Sequence, residues 1–298
     1  MVAGRKGSFA TQLSLLSLLV WTTIEQGLYN YQNSGKDWPG QCQNTEMQSP
    51  INILEYQSTC DVSHTFRFQA TNDTDTFNIE QDPSGLKIIS YFLDMFLKDI
   101  DGKFIGFNSS FMKIKIPAEH LINGETFDME LQVTGDRKPG YESSLSKMTM
   151  SVLFNKVPST QRIFADDPTY TLSSMMSLLD FRQIGDQTSN FSAAFAQEVI
   201  DPVYYFYKGS MTEPQCDEHL WVIMVNFLYL NHDDFDRIKS ALFSTPSLAG
   251  VQSNSRSLQI KGDRNVIRGG IDCSTYFGYV VAFVFLFIFM IYYVFKLL

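Results

Sequence analysis

The stretch FMKIKIPAEH, residues 111–120, alternates lysine with apolar side chains, so as a β-strand it sends Lys113 and Lys115 to one face. Alternating or β-rich runs recur in TFRFQA, TFNIEQ before DPSG, FDMELQVTG and MTMSVLFN, between Thr65 and Phe154. Helical patterning is sparse. PTYTLSSMMSLLDFRQI holds one candidate helix and NHDDFDRIKSALF another, with Asn231 placed to cap it and three aspartates near its start. Those aspartates do not make a calcium loop, which also needs a central glycine and a closing glutamate. The chain reads as a mainly β domain with a few short helices.

Both ends differ from this pattern. Arg5 and Lys6 precede an apolar run from Leu13 to Trp21, which predicts a signal peptide over 1–27. The same segment, with Arg, Lys and Ser and no acid before Glu25, also fits a mitochondrial transit peptide. YFGYVVAFVFLFIFMIYYVF, Tyr276 to Phe295, is uncharged, has tyrosines at both ends and would span ~30 Å as a helix. It predicts a transmembrane helix over 276–295, with a juxtamembrane segment 269–275, a tail 296–298 and a folded domain 28–268. A cleaved lipid-anchor signal is the alternative, but its polar spacer is short and interrupted by Ile271.

The formal net charge is −9 and no basic block occurs, so nucleic acid is not an expected partner. Cys42, Cys60, Cys216 and Cys273 are even in number and form no CxxC, which suits disulfides in an oxidising compartment better than zinc. Asn72, Asn108 and Asn190 open glycosylation sequons. Together these favour a single-pass secretory-pathway protein with a luminal or extracellular domain. The alternative is a mitochondrial inner-membrane protein facing the intermembrane space.

Three stretches go further. YNYQNSGKDWPGQCQNTEMQSPINI carries Tyr29, Tyr31, Gly35 and Trp38 ahead of Gln48, Ser49, Pro50, Ile51, Asn52 and Ile53. YYFYKGSMTEPQCDEHLW carries Tyr207, Gly209, Ser210, Thr212, Pro214, Cys216, Glu218 and Trp221, and NSRSLQIKGDRNV carries Asn254, Arg256, Gln259, Arg264 and Val266. In this order, and over essentially the whole ectodomain, the three resemble the motifs of α-type carbonic anhydrases. The resemblance implies an α-carbonic anhydrase-like fold: a large, twisted, mostly antiparallel sheet with a conical cleft. It also implies a Cys42–Cys216 bridge, leaving Cys60 and Cys273 to form a second bridge, stay free or link chains.

Enzymes of this family hold zinc with three histidines, two as H-x-H on one strand and one on the next strand. Here Lys113 and Lys115 match the first two positions, with a shorter loop before AEH, and Gln132 matches the third. Glu119, Glu130 and Thr212 match retained residues that stand behind the metal and its hydroxide. Leu86 matches the proton-shuttle position, where a side chain with no titratable proton relays nothing. The four histidines are His64, His120, His219 and His232, so no register restores an H-x-H pair between 65 and 119. His120 matches a structural histidine of the family. Glutamine and protonated lysines, with a reference pKa of ~10.4, are poor zinc ligands. The resemblance therefore implies a pseudoenzyme without zinc or other cofactor, bound to a protein partner in a recognition or structural role, and the C-terminal span would tether it to the membrane. The alternative is a residual dehydratase-type or small-anion site in the same cleft, in which Lys113 and Lys115 either neutralise Glu119, Glu130 and Glu213 or bind the anion.

Overall fold

In the computed structural model, the described residues are 29–44, 46–61, 63–71, 75–98, 103–141, 143, 145–158, 180–189, 203–270 and 284–289. The alternation in the sequence becomes fifteen strands. These are β1 (Asn52–Ile53), β2 (Thr59–Cys60), β3 (Thr65–Ala70), β4 (Asp75–Asp82), β5 (Gly85–Ile89), β6 (Leu93–Lys98), β7 (Phe104–Lys115) and β8 (Leu121–Ile122). There follow β9 (Met129–Arg137), β10 (Lys147–Val157), β11 (Gly185–Ser189), β12 (Tyr204–Ser210), β13 (Glu218–Met224), β14 (Leu228–Asn231) and β15 (Ile267–Gly269). The main path runs β11-β4-β5-β7-β9-β10-β13-β12-β15-β2, with β6 on β7, β3 on β6 and β14 on β10. This sheet is antiparallel except at β10–β13, β10–β14 and β15–β2.

One face carries Leu86 and Ile88 from β5, Met112 and Ile114 from β7, and Leu131 and Val133 from β9. Phe235, Ile238, Ala241 and Leu242 of helix α1 (His232–Phe243) belong to the same core. Each fully buried aliphatic or aromatic side chain contributes about 1.5–3 kcal/mol, so this layer packs the sheet against the helix. The other face bears the cleft residues. A bulge between Ser109 and Phe111 re-phases β7, after which Lys113 stands opposite Gln132 and Lys115 opposite Glu130.

Helix α1 forms where its pattern predicts, but its N-terminus differs from expectation. Asn231 has extended backbone angles yet makes no side-chain cap bond, and its Oδ1 is buried without a partner. Asp233 and Asp234 complement the helix dipole, while Asp236 pairs with His232 at 3.2 Å. The other candidate helix, like the signal segment, lies largely or wholly outside the described residues. Of the span 276–295, residues 284–289 are helical and exposed. Among the described residues no helix is long and apolar enough to cross a membrane.

The three sequence motifs converge on one another. Arg256 Nη1 donates to the Ser49 carbonyl and Nη2 to the Cys42 carbonyl, each at 2.8 Å. Ser49 Oγ accepts from Tyr207 Oη at 2.9 Å and from the Ser210 N–H at 3.1 Å. Cys42 and Cys216 are bridged as expected. Closing a span of 174 residues restricts the unfolded chain by up to about 5 kcal/mol in the loop-entropy picture. Cys60 is also disulfide-bonded rather than a free thiol, and Cys273 lies outside the described residues.

Gly209 is where β12 meets the Ser49 segment, and a Cβ there would lie 2.2 Å from Ser49 Oγ and 2.7 Å from the Tyr207 ring. Gly209→Ala is therefore expected to lower stability by about 2–3 kcal/mol through overpacking, measured as a shift in urea midpoint at constant m-value.

Candidate functional site

Glu213 is the centre of the cleft floor. It follows β12 on a loop fixed at both ends: Trp221 Nε1 donates to the Ser210 carbonyl at 2.8 Å, and the Cys216 N–H donates back to the Glu213 carbonyl at 2.7 Å. The disulfide to Cys42 holds the far side of the loop. So placed, the Glu213 carboxylate receives both cleft lysines. Lys115 Nζ donates to Oε1 at 2.9 Å, and Lys113 Nζ makes a short contact with Oε2, which also accepts from Tyr29 Oη at 3.1 Å.

The contacts extend outward as an alternating chain of charge. Lys113 Nζ lies 2.6 Å from Asp82 Oδ2, and Lys115 Nζ lies 3.5 Å from Glu119 Oε1. Lys115 also donates to Tyr31 Oη at 2.9 Å and sits 5.0 Å from the Tyr31 ring centroid. Lys113 is 6% exposed and Lys115 0%, so each ammonium depends on these partners rather than on water.

Gln132, 5% exposed, closes the inner end. Its Nε2 donates to Glu119 Oε2 at 2.8 Å and to Glu130 Oε1 at 3.0 Å. Glu119 Oε1 accepts the Arg256 N–H at 2.9 Å. Glu130 Oε2 accepts the N–H groups of Glu119 and His120, while Oε1 meets His120 Nδ1 and Ser151 Oγ, each at 2.8 Å.

Charge follows this geometry. Burial would raise the Glu213 carboxyl, but Lys113 and Lys115 outweigh it and hold it far below the usual carboxylate range. Burial opposes the Lys115 ammonium, yet Glu119 and Glu213 carry its pKa above the ordinary lysine value. Glu130, against its burial, is held low by His120. Beside this network, Thr134 Oγ1, Thr149 Oγ1 and His219 Nε2 form a buried hydrogen-bonded row, with contacts of 2.8 and 2.7 Å. Burial, with help from Lys147, pushes the His219 imidazole down to about 3, so it is neutral near pH 7.

The structure brings Lys113 and Lys115, which the alternation puts on one face, together with Gln132, Glu119 and Glu130, which the family resemblance singled out. Other expected residues fall elsewhere. Thr212 is buried, but the Glu119 oxygens are taken by Gln132, the Arg256 N–H and the nearby Lys115, with no Thr212–Glu119 hydrogen bond among the described residues. Leu86 does not reach the cleft. Its neighbour Lys87 stands opposite Lys113, so Leu86 turns to the core face, beside a cavity of about 410 Å³ lined by Phe181, Ala241 and Thr245. Asn108 is half-buried on β7 between Asp94 and Asp136, and Asn72 and Asn190 lie outside the described residues. Asp82, Tyr29 and Tyr31 are the members that sequence reasoning missed. Asp82 was legible only as a DPSG turn residue.

Zinc, implied by the family motifs, does not fit these side chains. At Lys113, Lys115 and Gln132, the positions that the resemblance assigns to the ligands, a cation would meet two ammoniums already bound to carboxylates and an amide nitrogen donating to Glu119 and Glu130. Among the described residues no other group of three or more His, Cys, Asp or Glu side chains is arranged to hold a metal.

Residues 31–269 match the family described as eukaryotic-type carbonic anhydrase. Carbonic anhydrase 4 of Oryctolagus cuniculus is 24% identical over 255 residues, covering 80% of this chain and 81% of that protein. Receptor-type tyrosine-protein phosphatase zeta of Rattus norvegicus is 23% identical over 294 residues, covering 87% of this chain and 12% of that much longer protein. The crystal structure of a halotolerant carbonic anhydrase from Dunaliella salina superposes with a TM-score of 0.60 at 20% identity, covering 80% of this chain and 97% of that one.

Glu213→Gln leaves two ammoniums short of a counter-charge and is expected to cost about 3 kcal/mol or more at pH 7. The pH dependence has a defined sign. The unfolded carboxyl, at 4.5, binds protons that the folded one does not, so its stabilisation is complete above pH 4.5 and is lost as pH falls toward the folded value. Lys115 mirrors this: its contribution is complete below 10.5 and is lost as pH rises through its raised folded value. Urea unfolding should therefore show a shallower loss of stability below pH 4.5 in Glu213→Gln than in wild type. Equal acid slopes would show that Glu213 is not held low.

Proposed function

Since the chain belongs to the eukaryotic-type carbonic anhydrase family, we propose that it keeps the family scaffold and has given up the family reaction. It is a membrane-anchored, secretory-pathway binding protein whose ectodomain recognises a protein partner or serves as a structural subunit of a membrane complex. The observation that carries this is the occupation of the three zinc-ligand positions by Lys113, Lys115 and Gln132, each engaged by a buried carboxylate. Carbon dioxide hydration through a zinc-bound hydroxide has no ligand set here on which to proceed.

Several observations support the remainder. The Cys42–Cys216 bridge and the bonded Cys60 suit an oxidising compartment. The uncharged span 276–295 is long enough to anchor the domain, and residues 284–289 within it are helical and present Phe285, Leu286, Phe287 and Phe289 at more than 60% exposure. A small anion held by Lys113 and Lys115 is less well supported, because it would have to displace the Glu213 carboxylate from both ammoniums.

The full chain, purified in detergent with zinc in the buffers, is expected to carry far less than one zinc per molecule by plasma mass spectrometry. Its stopped-flow hydration of carbon dioxide should match the buffer blank. Stoichiometric zinc with hydration above the blank would refute the proposal.

A further inference from the structure

Exposure rises along the cleft face of β7, from Lys115 at 0% and Lys113 at 6% to the half-buried Phe111, which stands at the mouth. Three ammoniums gather around this one ring. Lys87 Nζ lies 5.0 Å from its centroid, Lys113 Nζ 5.7 Å and Lys147 Nζ 5.8 Å. They come from three strands: β5 and β10 supply the outer two and β7 the inner one. Lys113 is committed to Asp82 and Glu213.

The outer two are not compensated in the same way. Lys147 meets Asp136 at 3.5 Å, but the two side chains are 42% and 54% exposed, so water screens the pair. Half-buried Lys87 forms no ion pair among the described residues. Its neighbour Glu80 on β4 is exposed and unpaired with it, and its register partner on β7 is Lys113. Like charges directly opposite on adjacent strands destabilise a sheet, and a ring contact worth about 0.5–1 kcal/mol offsets that only in part. The arrangement makes electrostatic sense with an anion held by the ammoniums beside the ring.

We propose that Lys87 and Lys147, flanking Phe111 above Lys113, bind a multivalent oxyanion such as sulfate or phosphate, free or carried as an ester on a larger ligand. Two ammoniums supply charge-assisted hydrogen bonds to separate oxygens, and cation–π contact with the ring keeps both groups in place. The proposal deepens the binding role argued above by giving the cleft mouth a ligand class. It fails separately from that role, because metal content and hydration do not depend on it.

The test is thermal melting of the full chain in detergent, titrated with sulfate, phosphate or a sulfated oligosaccharide below about 0.01 M ionic strength, where screening is weak. Chloride at matched ionic strength is the control. A saturable rise in melting temperature with the oxyanions and not with chloride is expected. Lys87→Met should bind about tenfold more weakly, the loss of one charge-assisted hydrogen bond. The same variant should melt above wild type in the absence of anion, because the repulsion with Lys113 is gone. Stronger binding of the oligosaccharide than of inorganic sulfate assigns the ester-borne form, and equal binding assigns the free ion. An equal response to chloride, or wild-type affinity in both Lys87→Met and Lys147→Met, would overturn the site.

Discussion

The cleft of this protein is organised by one carboxylate held between two ammoniums. Glu213 meets Lys113 with one oxygen and Lys115 with the other, and neither lysine has water in useful amount to fall back on. Three charges in so dry a place carry a desolvation cost of several kcal/mol each, repaid only if the geometry holds. Much of the surrounding architecture does that holding. The Ser49–Ser210 contact, the glycine at 209 and the Cys42–Cys216 bridge fix the loop that carries Glu213. Arg256 ties the motif strands together through its side chain and holds Glu119 through its backbone N–H.

The two lysines of β7 supply the charge balance of the cleft floor. The scaffold retains Glu119 and Glu130 behind the floor, and a cleft with those acids and no cation would bury uncompensated negative charge. Lys113 and Lys115 bring two positive charges fixed to β7. Glu213 and Asp82 then neutralise what Glu119 does not, while Glu130 is served by His120 and two backbone N–H groups. The result is a buried ionic joint between β4, β7, β9 and the loop after β12.

Much of this was legible in the sequence because period-two alternation is strict. Placing Lys113 and Lys115 on one face followed from FMKIKI alone, and the family resemblance singled out Gln132, which the structure pairs with Lys113. Tertiary choices were less legible. Asp82 sits in a turn signal that says nothing of the strand it reaches, and Tyr29 and Tyr31 enter the site from far along the chain. Leu86 was set in the cleft by matching a motif across a hairpin, where a shift of one residue exchanges the two faces of the sheet. Asn231 has the residue type and backbone of a cap, yet its side chain makes no cap bond.

The central claim is that Lys115 and Glu213 are energetically one unit. A double-mutant cycle on Lys115→Met and Glu213→Gln, read by urea unfolding of the full chain at pH 7, tests it most directly. Each single change is predicted to cost about 3–5 kcal/mol, with the double variant falling several kcal/mol short of their sum because it removes both orphaned charges together. Single-variant costs that add to within about 0.5 kcal/mol would contradict the account.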